Sequence, residues 1–180
     1  MKLIVIRHET TVLNEKGLIN GQLEDELSEN GKKDLINLID KLKVFKFTKI
    51  YSSPLHRALQ TAKPISKDHN NIAILKDERL IEVDFGSFTG KPWDSTASYF
   101  HQGNSSEMLN TYNYDFSKFG GESFEDVKKR TYSFLDDLKK IDDNEILIVT
   151  HGGVIRWLYL YLKNQKVKTF PNGSTHFFEL

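Results

Sequence analysis

Short apolar runs alternate along the chain with longer segments in which apolar residues keep helical spacing. Lys2–Arg7 is a β-branched apolar run, typical of a strand that is buried on both faces. Glu145–Thr150 shows the same pattern most clearly, and Lys49–Ser52 and Ile72–Leu75 are shorter runs of the same kind. Ser174–Leu180 is predicted to form a last strand at the edge of the sheet. The pattern therefore predicts five strands.

Helices are predicted between these strands. Ser28 is placed to cap a helix whose apolar residues are expected on one face: Leu35, Ile36, Leu38, Ile39 and Leu42. Ser53-Pro54 predicts a cap followed by proline at the first helical position, with the helix continuing to about Lys67. Ser123 is followed three residues later by an acid, which marks another helix start, and Val154–Leu162 is apolar enough for a buried helix.

This alternation predicts an α/β fold: a three-layer sandwich with an open, mostly parallel sheet and helices on both faces. Residues 91–122 have no clean period, although aromatic residues are frequent there: Trp93, Tyr99, Phe100, Tyr112, Tyr114, Phe116 and Phe119. Such a segment inside a compact domain is usually a binding loop or lid, otherwise a disordered insertion, and the aromatics favour the lid. The sequence thus predicts one domain, residues 1–180, with a lid-like insertion at about 91–122.

Composition limits the classes of function. The 180 residues include 38% apolar and 28% charged side chains, which is ordinary for a water-soluble domain. Twenty-five basic residues balance twenty-five acidic ones, so neither nucleic acid nor a membrane surface is expected as partner. The absence of cysteine excludes disulfides and thiolate chemistry. With no signal-peptide core and no membrane-spanning run, a cytoplasmic protein is expected, and a homodimer is left open.

Candidate chemistry lies just past the predicted strands. In an open α/β sheet, ligands bind beyond the carboxyl ends of the strands, near helix amino termini. Three strands carry cationic or imidazole residues at that end: Arg7 and His8; His56 and Arg57; and His151, followed by Gly152 and Gly153. Arginine matches phosphate oxygens in pairs, and histidine can accept and release a phosphoryl group. Each residue alone is usually a solvated loop residue, but their coincidence favours a phosphate site.

Other kinds of site have less support. The six histidines form no ligand pair at helical spacing, so neither a metal nor another cofactor is predicted. No glycine-rich phosphate loop follows the first strand, which argues against a plain nucleotide-binding domain.

The segment from Arg7 to Asn14 resembles the signature of the histidine phosphatase superfamily, the phosphoglycerate mutase-like proteins. The family form is Arg-His-Gly, one variable residue, Thr, two more residues and Asn. The similarity continues in order through most of the chain, at Gly21-Gln22, Leu27–Gly31, Tyr51–Ala58 with Gln60–Ala62, Glu82–Gly86, Gly121–Ser123 and Val149–Gly153.

The resemblance implies roles for individual residues. It makes His8 the nucleophile that carries the phosphoryl group, surrounded by three further side chains: Arg7, Arg57 and His151. It places Asn14 and Gln22 at the phosphate pocket or substrate entrance and Gly152 beside the phosphate. Glu82 takes the position of the proton donor, with Asp84 as a neighbouring rival. To donate, Glu82 must hold a proton near neutral pH, and apolar neighbours are expected to help: Val83, Phe85 and Phe88.

Two departures from the family pattern qualify this hypothesis. Glu9 stands where the family usually has glycine, and a carboxylate beside the site would repel phosphate unless it points away or is paired. Phe85 stands where the mutases carry tyrosine, and no paired arginines follow, which favours hydrolysis over mutase activity.

The resulting prediction is a phosphomonoester hydrolase that acts on a small phosphorylated metabolite without a metal. The run Ile81–Phe88, with Trp93 soon after, resembles the α-ribazole-5′-phosphate phosphatase branch and suggests that substrate. Two alternatives are kept: a phosphoglycerate mutase, and a weakly active regulatory protein that binds phosphorylated ligands, for which Glu9 is the motivating residue.

Overall fold

The computed structural model describes residues 1–96 and 112–180, which contain all five predicted strands. The strands are β1 (Lys2–Arg7), β2 (Lys49–Ser52), β3 (Ile74–Lys76), β4 (Glu145–Thr150) and β5 (Thr175–Glu179).

Strand β3 starts two residues later than predicted. Asn70 and Asn71 both adopt left-handed backbone angles, with φ of 57°. Because the chain turns there, it reaches the hydrogen-bonding register only at Ile74, opposite Ile50 of β2. Ile72 instead packs against the core ahead of the strand.

The sheet has the order β3-β2-β4-β1-β5. Strands β1, β2, β3 and β4 pair in parallel, and β5 runs antiparallel to β1 at the edge. The predicted open, mostly parallel sheet with a final edge strand is confirmed. Since β2, β4 and β1 are neighbours, their carboxyl ends lie side by side at one edge of the sheet.

Five α-helices are found in the described ranges: α1 (Val12–Glu15), α2 (Glu29–Leu42), α3 (His56–Asp68), α4 (Phe124–Leu138) and α5 (Gly152–Lys163). Alternate residues of β1 divide between two cores, as the pleat of a strand requires. Ile4 and Ile6 pack in one cluster with α2 and α3, whereas Leu3 and Val5 pack in another with α4 and α5. Helices therefore cover both faces, and the three-layer sandwich is confirmed.

The predicted helix caps at Ser28 and Ser123 are confirmed, since each hydroxyl accepts from the backbone N–H three residues later. Ile36 is wrongly predicted as a core residue of α2. It is 63% exposed, because the buried stripe follows Leu35, Leu38 and Leu42.

The predicted start of α3 is also wrong. The helix begins at His56, after Leu55 as its first flanking residue, so Pro54 lies outside it. Ser53 does not cap the helix: its hydroxyl is 2.7 Å from Nε2 of His151 and accepts from the N–H of Leu55, which precedes the helix.

The predicted insertion at 91–122 is described at its two flanks. Trp93–Thr96 and Ser117–Phe119 form short 3-10 helices, and Tyr112, Tyr114 and Phe116 are buried in an aromatic cluster. Residues 97–111, including Tyr99 and Phe100, lie outside the described residues, so the lid stays a prediction. Within the described ranges, every helix is too short or too polar to span a lipid bilayer.

Candidate active site

The structure brings the residues that follow β1, β2 and β4 together at one edge of the sheet. The ring centroids of His8 and His151 are 5.0 Å apart, and Nε of Arg57 lies 3.2 Å from Nε2 of His8. A cavity of about 240 Å³ opens beside them. Its lining comprises Arg7, His8, Asn14, Leu18, Asn20, Gly21, Arg57, Glu82, Phe85, Trp93, Gly152, Gly153, Arg156 and Thr169.

His8 is held with one ring nitrogen free of its proton. Its Nδ1 lies 2.7 Å from the backbone oxygen of Glu9, which can only accept, so Nδ1 carries the proton. Nε2 then presents its lone pair and accepts from Arg57. Burial, reinforced by the charges of Arg57 and Arg7, holds the pKa of His8 well below its usual value. The imidazole is therefore neutral near pH 7, as a nucleophile must be.

Arg57 is fully buried and fixed by three hydrogen bonds. Besides His8, it donates to the backbone oxygens of Gly21, at 2.6 Å, and Leu23, at 2.8 Å. Burial lowers its pKa, and Glu82 opposes that shift. Its guanidinium is thus a fixed positive charge next to Nε2 of His8.

Arg7 donates through one terminal nitrogen to the backbone oxygen of Phe170. Its Nε is buried and has no hydrogen-bond partner among residues 1–96 and 112–180. Burial lowers the pKa of Arg7 to about 10, so the group stays charged at neutral pH. Arg7 consequently offers an unused donor at the wall of an anion-sized cavity.

His151 is completely buried behind His8 and does not line the cavity in the described structure. Its Nε2 is 2.7 Å from the hydroxyl of Ser53, and its Nδ1 has no partner among the described residues. Burial and the charge of Arg57 hold its pKa well below the usual range. A neutral ring that accepts from Ser53 at Nε2 keeps a proton on Nδ1 for donation.

The carboxylate of Glu82 caps the amino terminus of α5. Its Oε1 accepts from the N–H of Gly153, at 3.1 Å, and from its own neighbour Val83, at 2.9 Å. Its backbone oxygen accepts from Gln22 and from Arg130. The rival Asp84 lies outside the cavity lining and accepts from the N–H of Gly86. Placement therefore favours Glu82 as the carboxyl that meets a bound phosphate.

The remaining predicted residues fall into two groups. Asn14 and Gly152 line the cavity, and a methyl group added at Gly152 would lie 3.6 Å from the Arg7 guanidinium. Gln22 is half-buried and lies outside the lining, where its amide supports Glu82 from behind. His56 is exposed and lies outside the lining as well.

Glu9, the departure from the family signature, points away from the cavity. Its carboxylate packs against Gly173, and any side chain there would overlap it. Burial and the nearby Asp34 raise the pKa of Glu9 to about 7. Its backbone still serves the site, because its oxygen accepts from His8 and its N–H donates to Thr61 at 3.1 Å. The carboxylate of Glu9 is thus kept away from the cavity.

Several site residues were missed by the sequence analysis. Asn172 donates to the backbone oxygen of His8 and to Oδ1 of Asn14, each at 3.1 Å. Arg156, in the second turn of α5, is 5% exposed and lines the cavity. Asn172 lies in an irregular segment that carries no signal. A lone cation within the apolar run Val154–Leu162 is the signal that could have found Arg156.

The site can bind an anion and present a neutral nucleophile to it. Three guanidiniums and one carboxylate line the cavity. The amino-terminal N–H groups of α5 and its dipole add to the attraction for an anion. Among the described residues, no three His, Asp or Glu side chains cluster closely enough to hold a metal ion.

Comparison with known proteins agrees with this geometry. The family model of the histidine phosphatase superfamily (branch 1) matches residues 3–177. Phosphoserine phosphatase 1 of Hydrogenobacter thermophilus is 30% identical over 94% of this chain and 80% of that protein. A metal-independent phosphoserine phosphatase of Arabidopsis thaliana is 32% identical over 88% of this chain and 67% of that protein.

Solved structures give the same result. A phosphoglycerate mutase from Bacillus anthracis superposes with a TM-score of 0.87 at 25% identity, covering 98% of this chain and 86% of the other. The chain belongs to the histidine phosphatase superfamily, branch 1, and is related to phosphoric monoester hydrolases.

Proposed function

We propose that this chain is a metal-independent phosphomonoester hydrolase in which His8 carries the phosphoryl group between substrate and water. One observation carries the proposal. The buried, neutral imidazole of His8 has its unprotonated Nε2 beside Arg57, at the end of a cavity that Arg7 and Glu82 also line. Phosphoryl transfer requires positioning and charge neutralisation above all, and these groups supply both.

In the first step, the lone pair of His8 Nε2 attacks phosphorus, and the bond from phosphorus to the ester oxygen breaks. Arg57, fixed beside Nε2, stabilises the phosphoryl group by its charge, while Arg7 donates from Nε, which has no partner among the described residues. Glu82 gives its proton to the departing ester oxygen.

In the second step, water attacks the phosphohistidine from the side that the alcohol has left. Glu82, now ionised, takes a proton from that water, the bond from phosphorus to Nε2 breaks, and phosphate departs. The Nδ1–H bond to the Glu9 backbone oxygen stabilises the charge that the ring carries while it is phosphorylated. His151, whose ring centroid lies 5.0 Å from that of His8, supports the His8 ring from behind while it is phosphorylated.

A small substrate fits the cavity best. The cavity has a volume of about 240 Å³, which is smaller than the roughly 300–1,000 Å³ of pockets that hold drug-sized ligands. Relatives are named phosphoserine phosphatases, which supports a short phosphorylated metabolite. The suggestion of α-ribazole 5′-phosphate, a larger nucleotide-like molecule, stays a prediction with less support.

The two alternatives have less support than hydrolysis. Mutase-named relatives and the fold make a phosphoglycerate mutase a second candidate, which interconversion of 2- and 3-phosphoglycerate with little phosphate release would favour. The argument for a weakly active regulatory protein is that a carboxylate at Glu9 would repel phosphate. That argument loses its basis, because the Glu9 carboxylate points away from the cavity.

The test is a phosphatase assay in chelator with p-nitrophenyl phosphate and a panel of small phosphorylated metabolites. We expect turnover that His8→Ala abolishes, and acid-labile, base-stable phosphate on the protein after a rapid quench. Turnover that survives His8→Ala, or that requires added metal, would refute the proposal.

A further inference from the structure

We infer that Arg130 is a positioning residue for the proton donor, because it holds the backbone of Glu82 against α4 so that the carboxyl faces the cavity. The inference rests on the proposed hydrolase function, in which Glu82 serves the leaving group. Arg130 lies outside the cavity lining, so its effect on the reaction runs through Glu82 and not through contact with phosphate.

The segment that carries Glu82 has no helix or strand of its own to fix it. Residues 81–85 lie between a 3-10 helix that ends at Leu80 and another that begins at Gly86. Backbone oxygens that are shielded from water need hydrogen-bond donors, and in such a segment the donors come from other elements. The position of the Glu82 carboxyl therefore depends on the side chains that hold this segment.

Arg130 supplies three of these hydrogen bonds from the middle of α4. Its Nη1 donates to the backbone oxygens of Arg79, at 2.9 Å, and Ile81, at 2.6 Å. Its Nη2 donates to the backbone oxygen of Glu82 at 3.2 Å. One guanidinium, fixed on a helix, thus holds three carbonyl groups of the chain that leads up to the donor.

Glu122 orients this guanidinium and contacts the segment from the other side of Glu82. Its two carboxylate oxygens accept from Nε and Nη2 of Arg130, at 2.8 and 3.0 Å. One of them also accepts from the N–H of Asp84 at 2.9 Å. Both side chains of the ion pair are largely shielded from water, which strengthens these bonds. All five N–H donors of Arg130 are therefore used, whereas a lysine has only three.

Arg130 differs in this respect from the cations that line the cavity. Glu122 neutralises its charge, and its donors are all taken by protein oxygens. Arg7, by contrast, keeps a buried Nε without a partner among the described residues. The contacts thus assign Arg130 to the backbone and leave phosphate to the other guanidiniums.

The test removes the guanidinium and compares two leaving groups. In Arg130→Gln, Glu82 keeps its bonds to Gly153 and Val83, so we expect a displaced donor rather than a lost one. For the alkyl phosphate that wild type turns over fastest, kcat/KM should fall by about 10- to 100-fold, mainly through kcat. For p-nitrophenyl phosphate, which depends less on a proton donor, it should fall by less than about threefold.

Two further variants test the geometry of the ion pair. Arg130→Lys keeps the charge but reaches fewer oxygens, so its loss on the alkyl phosphate should lie between wild type and Arg130→Gln. Glu122→Gln removes the charge and keeps an oxygen for the N–H of Asp84, and should show the same selectivity with a smaller loss. It carries the test if Arg130→Gln does not fold.

Arg79→Gln is the matched control. Arg79 lies next to Arg130 and forms ion pairs with Asp77 and Asp137, but its side chain does not contact the segment that carries Glu82. The variant keeps the backbone oxygen that Arg130 holds. We expect kcat/KM for both substrates to change by less than about threefold.

Combination with Glu82→Gln separates positioning from folding. If Arg130 acts through Glu82, Arg130→Gln should add less than about threefold to the loss that Glu82→Gln already causes on the alkyl phosphate. Equal losses on both substrates, or fully additive losses in the double variant, would overturn the inference.

Failure of the positioning role and failure of the proposed function give different results. A selective loss in Glu82→Gln, with Arg130→Gln and Glu122→Gln as active as wild type, would refute the role of Arg130 and leave the hydrolase intact. Absence of His8-dependent turnover on every phosphate ester would refute the proposed function, and the inference with it.

Discussion

Gly153→Ala is expected to displace Glu82, the proposed proton donor, through a single methyl group. Gly153 lies in the first turn of α5, and its N–H donates to Oε1 of Glu82. A Cβ on Gly153 would overlap that oxygen and would lie 2.6 Å from Cγ2 of Val83, whereas real Cβ contacts stay above 3.0 Å. The carboxylate must therefore retreat by roughly 1 Å to restore normal van der Waals separation.

The size of the effect depends on the leaving group. Misplacing a catalytic group by about 1 Å can cost roughly 100-fold, and a general acid contributes about 10²- to 10⁴-fold. We expect kcat/KM for an alkyl phosphate to fall by about 100-fold, because an alkoxide leaves poorly without a proton. For p-nitrophenyl phosphate, whose phenolate leaves readily, we expect a loss of less than about 10-fold.

The assay measures both substrates with wild type, Gly153→Ala, Glu82→Gln and the double variant. If Gly153→Ala acts through Glu82, it should add little to the loss already caused by Glu82→Gln. Gly152→Ala faces Arg7, and should change both substrates by a similar factor. Thermal unfolding of each variant controls for loss of folding, since the added methyl group at residue 153 also contacts Val83. Full alkyl phosphatase activity in Gly153→Ala would refute the placement of Glu82 as donor.

Three further predictions concern charge. Folding raises the pKa of Glu9 from 4.5 to about 7, so the folded protein holds this proton more tightly than the unfolded chain does. The free energy of unfolding should therefore fall as the pH rises from 4.5 to about 7, and the full loss is present above pH 7. Glu9→Gln should therefore be more stable than wild type by on the order of 2 kcal/mol at pH 8 and about equal near pH 4.5, measured by urea unfolding. Nitrogen NMR should find His8 neutral, with its proton on Nδ1, from pH 8 to pH 6; a titration near pH 6.5 would contradict this. Arg57→Lys should lower kcat/KM by at least about 100-fold and lower the unfolding temperature, because an ammonium cannot serve the backbone oxygens of Gly21 and Leu23 and also His8; near-normal activity would contradict it.

The main chemistry could be predicted because parallel strands end at one edge. Arg7 ends β1, His8 follows it directly and His151 follows β4, so the apolar runs that predict those strands also locate these side chains. Arg57 lies within one turn of the helix that follows β2. In each case the place of the side chain follows from the periodicity that predicts the strand or helix, and from the rule that ligands bind beyond the carboxyl ends of the strands in open α/β sheets.

Contacts between distant segments could not be predicted in this way. Ser53 has the pattern of a helix cap, but its hydroxyl meets His151, which is 98 residues away in sequence. Asn172 reaches the backbone of His8 across 164 residues from a segment with no periodic signal. Such pairings depend on which loops the tertiary fold brings to the same edge, and local propensity carries no information about that.

Three of the four buried side-chain atoms that lack a hydrogen-bond partner among the described residues lie at or directly behind the cavity. They are Arg7 Nε, Arg156 Nε and His151 Nδ1. Burial lowers the pKa of His8 and so keeps its Nε2 unprotonated. The charges of Arg57 and Arg7 lower that pKa further, and the same charges attract a phosphate dianion. Nucleophile activation and anion binding thus have one electrostatic cause. Binding of an anion offsets the cost of burying these cations, which ties the affinity for negatively charged ligands to their arrangement.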